Sequence, residues 1–451
     1  MRAVALLRSE WRDPTGVLAA FADEPFALGL LSGEGVGSRW SYLARRPDAT
    51  LILSPGDHDD PFSALTGLLG APSPRLADGP PFQGGIAGLC AYELGDRRDG
   101  LTLGRHDGWP DLACARYGAL LAFDHERREV VAVGRGRDDA EALGRASQAQ
   151  AWLAPEQDAA APTPTGPLAA WLEAESPGLH EAAVAQVVER IARGEIFQAN
   201  IARRWHGELV AGARPIDLLR RLDAQSPAPF AAYLRLADRA VVSNSPEQFL
   251  RISPTAHGFE VETRPIKGTI RRGRDGVEDT ALAEALISSA KDRAENLMIV
   301  DLMRNDLARV CSPGSVRAPR LFEVEQFANV HHLVSTVTGR LEAGRCAFDL
   351  LRAAFPPGSI TGAPKIQAMK VIAGLEPPRG PFFGAMIWVG FDGAMDSNVL
   401  IRTCACIADQ DGWRIEARAG GGVVADSRPD DERRETEAKI AALVRALTQA
   451  A

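Results

Sequence analysis

Lys267 sits between an apolar Pro265-Ile266 pair and Gly268-Thr269, with Arg264 three residues before it. A lysine amine attacks carbon only when neutral, and both burial and a nearby cation push its pKa down. Arg264, or a metal ion in the same site, is a candidate for that cation. If residues 260–267 form one strand, Glu260, Glu262, Arg264 and Ile266 share one face. Val261, Thr263, Pro265 and Lys267 then share the other. Gly268 would let the backbone pass close to whatever Lys267 touches. Taken alone, the same residues also describe an edge-strand lysine at a turn.

Carboxylates come in two spaced pairs, Asp292 with Glu295 and Glu432 with Glu435. Each pair is i, i+3 on an expected helix and so lies on one face, at a cost of roughly a few tenths of a kcal/mol if exposed. A solvated face explains either pair alone. Two pairs on two helices suggest a cage for a hard divalent cation, Mg²⁺, which takes one or two carboxylates plus water and substrate oxygens. Glu247 follows Ser245-Pro246 at a strand end. His331 and His332 are adjacent on a strand, so at most one enters a site. Ser359 and Thr361 lie in Pro357-Gly358-Ser359-Ile360-Thr361-Gly362-Ala363-Pro364-Lys365, a loop opening a helix whose first N–H groups favour anions. Arg402 offers a fork suited to a carboxylate. Gly420, Gly421 and Gly422 let backbone amides approach one closely. Lys439, one turn beyond Glu435, can neutralise charge there.

These groups need a scaffold. Val184, Val187, Val188 and Ile191 form one helical stripe, ended by Gly194. Residues 196–201 read as a strand with the amides Gln198 and Asn200 on one face. Residues 290–310 read as one long helix, and the last helix follows Pro429. Earlier in the chain, 27–31 and 49–53 read as strands, and the glycine-rich 81–88 as a tight strand entry. The stretch 154–168 is rich in Ala, Pro and Thr. It opens a linker, expected at 154–175, between an N-terminal region 1–153 and a catalytic region 176–451. At 451 residues the chain is too long for one ordinary core.

A net charge of −8 argues against a nucleic-acid surface. No apolar run reaches membrane length and no signal-peptide core opens the chain, so a cytoplasmic protein without membrane attachment is expected. Six cysteines are scattered, and only Cys404 and Cys406 are close, at a spacing unlike a zinc site.

Glu262-Thr263-Arg264-Pro265-Ile266-Lys267-Gly268-Thr269 resembles the signature of the chorismate-utilising enzymes. Within them, the aminodeoxychorismate synthase branch carries this lysine, and the anthranilate synthase component I branch usually carries alanine. The resemblance covers nearly the whole chain and is strongest from Gly178 onward. It implies an α/β (α+β) fold of two orthogonally packed β-sheets with outer helices. It makes Lys267 the nucleophile, Glu247 the general acid and His332 the histidine that enters the site. Glu295 and Glu435 resemble direct Mg²⁺ ligands, with Asp292 and Glu432 behind them. The substrate-binding set is Gly268, Thr269, Ser359, Thr361, Phe382, Arg402, Gly420, Gly421, Gly422 and Lys439. Phe382 stands where many relatives carry a tyrosine that reaches a substrate carboxylate. Isochorismate-forming relatives tend to carry lysine at Gln198, which counts against hydroxyl transfer. The implied reaction converts chorismate and ammonia to 4-amino-4-deoxychorismate for 4-aminobenzoate and folate. No glutaminase signature is visible, so ammonia would come from a separate glutamine amidotransferase subunit in a heterodimer. Leu30-Leu31-Ser32-Gly33 matches the family's tryptophan-pocket stretch without its glutamate, so tryptophan feedback is not expected. Alternatives are anthranilate synthase component I and a non-catalytic chorismate- or tryptophan-binding regulator.

Overall fold

A computed structural model describes residues 3–33, 39–97, 101–106, 108–154, 164–327, 330–410 and 412–450. Two antiparallel sheets organise them. The larger has 12 strands. Its order runs from Ala3–Glu10 through Glu129–Gly136, Ala119–Asp124, Trp40–Ala44 and Leu28–Leu31 to Phe230–Arg235. It continues through Arg239–Ser245, Thr403–Asp409, Gly412–Val423 and Gln198–Leu209 to Gly362–Ala363, with Ala169–Ala174 also paired to Gln198–Leu209. The smaller has 10 strands. It runs Ile266–Arg271, Val330–Arg340, Gly258–Thr263, Gln248–Thr255, Met395–Asn398, Ala385–Gly390, Gly85–Cys90, Leu112–Tyr117, Ala49–Leu53, with Arg317–Gln326 also on Val330–Arg340.

The strand sequences explain the layering. In 130–133 every residue is apolar, because alternate side chains enter different cores. Val131 and Val133 join the cluster that holds side chains of both sheets, and Val130 and Ala132 join a second on the outer face of the larger sheet. The helices Pro215–Gln225 and Pro429–Thr448 cover that outer face with Leu218, Leu219, Leu443 and Leu447. Helix Pro177–Ala192 packs its Val184 and Val187 against Ile201 of the long strand Gln198–Leu209. It stops where expected, with Gly194 at φ 75° just beyond its end. All three helices begin with proline, whose missing N–H costs nothing at that position.

Both sheets run across the boundary expected near residue 153. Leu28–Leu31 pairs with Phe230–Arg235, and Gly85–Cys90 with Ala385–Gly390. Most of the expected linker, 155–163, lies outside the described residues. Its last part is not a linker: Ala169–Ala174 is a strand in register with 205–209.

One further expectation is corrected. Residues 260–267 are not a single strand. Gly258–Thr263 ends before Arg264-Pro265, and a new strand, Ile266–Arg271, begins. Proline cannot donate to a ladder and breaks the alternation there.

Candidate active site

Lys267 is aimed by a β-bulge. Ile266 faces Val334 and Thr269 faces His332 on the neighbouring strand, so one extra residue is fitted between them. Gly268 takes φ 89°, as such a bulge requires. The bulge places Ile266, Lys267, Gly268 and Thr269 all on the wall of one cavity of about 540 Å³.

Helix Ala290–Ala308 supplies the facing carboxylates. Ser289 caps it by accepting from the Asp292 N–H at 3.2 Å. Buried Asn296 pins it to strand Val330–Arg340 through the Leu333 carbonyl and the Ser335 hydroxyl. Glu295 then lies across from the bulge, and its Oε2 accepts from Lys267 Nζ at 2.9 Å. Asp292 sits against Gly268.

The last helix brings Glu432, Glu435 and Lys439 to the same cavity. Residues 420–422 do not form a loop of amides. They belong to strand Gly412–Val423, in register with 200–202. What the glycines provide is room. A Cβ at Gly420 would meet Asn200 Oδ1 at 2.8 Å. At Gly421 it would meet Glu432 Oε2 at 2.6 Å and Glu435 Oε1 at 3.3 Å. At Gly422 it would meet Lys267 Nζ at 2.7 Å and Gln198 Cδ at 3.0 Å.

Charge is unevenly settled in this cavity. Burial pushes the Glu247 carboxyl up to about 7, against hydrogen bonds from Ser359 and the Ile266 N–H and the charges of Lys267 and Lys439. Glu247 is therefore substantially protonated near neutrality. His332 is driven down to about 3 by burial and by Arg402 and His331, so its ring is neutral, with Nδ1 2.8 Å from the Thr269 hydroxyl. His331 points the other way, to Asp279 at 2.9 Å. Arg402 lines the cavity at φ 50°, and among the described residues no carboxylate pairs with it. Burial lowers its pKa.

Lys267 departs from expectation. Burial lowers its pKa, but Glu295, Glu435 and Glu432 outweigh burial and hold it above that of a free lysine. Arg264 does not help, because its guanidinium is paired with Glu325 and does not line the cavity. The carboxylates that would serve a metal here serve the ammonium.

Among the described residues no three His, Cys, Asp or Glu side chains converge closely enough to hold a metal ion. Glu295 is engaged by Lys267, and Glu435 by Lys439 at 2.5 Å. The donor chemistry nevertheless fits a hard cation. Glu432 Oε1 accepts from the Ser427 hydroxyl at 2.7 Å, while its buried Oε2 has no hydrogen-bond partner. Burial and the neighbouring Glu435 charge raise Glu432; Lys439 and Lys267 overcome burial to lower Glu435. Two carboxylates with one unmatched oxygen, converging on a glycine, suit an ion that takes one or two protein oxygens and water.

Three expected binding residues do not line the cavity. The Thr361 hydroxyl donates to the Pro357 and Gly358 carbonyls and closes the turn Gly358–Ile360. Phe382 is buried in the core under the Arg418 guanidinium, and Phe383 faces the cavity in its place. Gly421 is not on the wall itself, although a Cβ there would meet Glu432 and Glu435, which are. Lys365, the first residue of helix Lys365–Ala373, is buried and turns its Nζ to Asp306 at 2.5 Å and the Pro356 carbonyl at 2.9 Å. Sequence reasoning missed Arg418, Lys291 and Asn200 as lining residues. Strand alternation from Gly420 would have found Arg418, and helix spacing from Glu295 would have found Lys291.

Residues 30–445 match the family model described as chorismate binding enzyme. The chain belongs to the chorismate-binding enzymes. Relatives in that family include the aminodeoxychorismate synthase component 1 of Salmonella typhimurium, 39% identical with 92% of each chain covered. That of Escherichia coli is 40% identical, covering 94% of this chain and 93% of the relative. The anthranilate synthase component 1 of Streptomyces coelicolor is also 40% identical, covering 94% and 84%. The crystal structure of anthranilate synthase component I from Streptococcus pneumoniae superposes with a TM-score of 0.79 at 29% identity, covering 91% of this chain and 93% of that one. The menaquinone-specific isochorismate synthase of Escherichia coli shares the fold, with a TM-score of 0.75 at 15% identity and 99% and 95% covered. Among the described residues no helix is long and apolar enough to cross a membrane.

Residues 30–32 line a second cavity, of about 380 Å³, with Trp40, Tyr42, Trp388 and Asn398.

Proposed function

We propose that this chain aminates chorismate at ring carbon 4, as the large subunit of an aminodeoxychorismate synthase in the cytoplasm. The observation that carries the reading is Lys267, its amine on the cavity wall facing Glu295, with the half-protonated Glu247 in the same cavity. Arg402 would take a substrate carboxylate in its fork. Lys267, having lost a proton to solvent, would bond through Nζ to ring carbon 2 as both ring double bonds shift and the bond to the 4-hydroxyl breaks. Glu247 would give its proton to that leaving hydroxyl, releasing water. Ammonia would then form a bond to carbon 4 and the bond from Lys267 to carbon 2 would break, leaving 4-amino-4-deoxychorismate. Neutral His332 and Thr269 would orient the substrate by hydrogen bonding. Mg²⁺ held by Glu295 and Glu435, with Asp292 and Glu432 behind them, would draw negative charge away from the Lys267 amine and polarise the ring carboxylate. Ammonia would be delivered by a glutamine amidotransferase subunit, as the name component 1 of the relatives suggests.

A second reading, anthranilate synthase component I, is favoured by the Streptomyces coelicolor relative, whose identity equals that of the Escherichia coli aminodeoxychorismate synthase. Incubating the purified chain with chorismate, Mg²⁺ and ammonium salt separates the two. The expected product is 4-amino-4-deoxychorismate, formed with ammonium and not with glutamine. Anthranilate as product would establish the second reading, and glutamine-dependent turnover by the pure chain would remove the partner subunit.

A further inference from the structure

One guanidinium outside the cavity ties three of its walls together. Arg379 is 2% exposed and does not line the cavity. Its Nη2 donates to the Asn200 carbonyl at 2.7 Å and its Nη1 to the Ile360 carbonyl at 3.0 Å. Nε and Nη2 also donate to Glu376 at 3.0 and 3.1 Å. The guanidinium carbon lies 4.5 Å from the Phe383 ring centre and 4.7 Å from that of Tyr92. Asn200, Ile360 and Phe383 all line the cavity, and they come from three separate segments.

The clamp is itself held. Glu376 Oε1 accepts from the Ala202 N–H at 2.6 Å, two residues beyond Asn200. Glu93 accepts from the Arg379 and Gly380 N–H groups at 2.6 and 2.9 Å. Thr361, next to Ile360, returns its carbonyl to the Asn200 N–H at 2.8 Å. Ser359, whose hydroxyl bonds Glu247, precedes Ile360 in the same turn.

Burying a guanidinium is costly unless its charge and its donors are matched, and an apolar substitute often packs as stably. Here a rigid fork reaches two carbonyls and a carboxylate at once while stacking between two rings, which lysine cannot do. We propose that Arg379 is a positioning residue. It sets the placement of the Asn200 strand, the Ser359-Ile360 turn and the Phe383 wall relative to one another. Through that turn it sets where Glu247 meets the substrate. The inference rests on the reaction proposed above for its kinetic readout.

The test uses two variants of the full chain. Arg379→Lys keeps a charge beside Glu376 but cannot span both carbonyls. Arg379→Met combined with Glu376→Gln removes both charges, so neither is left buried alone. In each, kcat with chorismate and ammonium should fall by roughly 10- to 100-fold while KM changes by less than about threefold, as expected for misplacement by a fraction of an ångström. Amide hydrogen exchange should quicken in 198–202 and 358–362 without a matching loss elsewhere. Folded variants with wild-type kcat, KM and exchange would overturn the proposal. So would failure of both variants to fold, which would assign Arg379 to stability alone. A wild-type chain inactive on chorismate would instead defeat the proposed reaction, and the exchange result would still decide the clamp.

Discussion

The cavity that holds Lys267 and the cavity beside Leu30–Leu31 both contain charge but pair it differently. In the second cavity Arg251 donates through Nε and Nη2 to one oxygen of Asp396, and Gln248 donates to the other. The rest of that wall is mostly apolar and aromatic, with Trp388, Met386 and Tyr42. In the cavity that holds Lys267, Arg402 faces inward with no carboxylate partner among the described residues, and Glu432 Oε2 and Asn200 Oδ1 lack hydrogen-bond partners. Leaving buried polar atoms unmatched costs stability. Gln248 Oε1, beside the Arg251–Asp396 pair, is itself buried without a partner, so the contrast between the two cavities lies in the pairing of their guanidinium groups and not in every polar atom. Perturbed ionisable groups cluster at functional sites.

The largest effects should follow from removing carboxylates of the Lys267 cavity. Glu295→Gln or Glu435→Gln should lower chorismate turnover by roughly a thousandfold or more, because an electrophilic cation supplies several kcal/mol and each 1.4 is tenfold. Thermal unfolding should change little for Glu435→Gln, whose ion pair is half exposed, and more for Glu295→Gln, which leaves the buried Lys267 without its partner. Full activity of either variant in EDTA would remove these residues from the reaction.

Glu247→Gln should cost about 10²- to 10⁴-fold in kcat, the usual range for a positioned acid. The same group sets a pH limb. Its folded pKa of about 7 lies above the 4.5 of an ordinary glutamate, so rate should fall as pH rises through about 7 and the acid is lost. The stability sign is also fixed. A carboxyl with a raised folded pKa costs nothing below about 4.5 and costs most above about 7. Glu247→Gln should therefore be more stable than the wild type at pH 8, by about 3 kcal/mol at most. Denaturant titrations of both proteins at pH 5 and pH 8 measure it, and equal stability at pH 8 would contradict the assigned environment.

The smallest catalytic effect belongs to the matched side. Asp396→Asn should leave kcat within about twofold, since Asp396 does not line the catalytic cavity, while costing about 1 kcal/mol of stability for a partly exposed pair. A loss of turnover as large as that of Glu247→Gln would mean that the contrast between the cavities is false.

Much of this site could be read from the sequence, and the misreadings have physical causes. Glu247, Lys267, Glu295, His332, Arg402 and Glu435 meet at one cavity as the resemblance implied. Thr361 and Phe382 do not, because a one-residue step in a turn or strand reverses the direction of a side chain. A run of glycines looks the same in sequence whether it cradles an anion or makes room for carboxylates. Which it is depends on register, and the partners of 420–422 lie more than 200 residues away at 200–202. The Lys267 environment was misjudged for a related reason. Its nearest charges come from two helices far apart in the chain, and only the fold sums their effect.

The central claim is that Lys267 forms a covalent bond to the substrate, even though the carboxylates around it favour its ammonium form. The direct measurement is mass spectrometry of the enzyme quenched with chorismate and Mg²⁺ in the absence of ammonia. The account predicts a mass increase on the peptide carrying Lys267. It also predicts an inactive Lys267→Arg variant without adduct, since arginine cannot be deprotonated in a protein. An unmodified wild-type peptide, together with near-normal activity of Lys267→Arg, would contradict it and leave Lys267 only a charge to contribute.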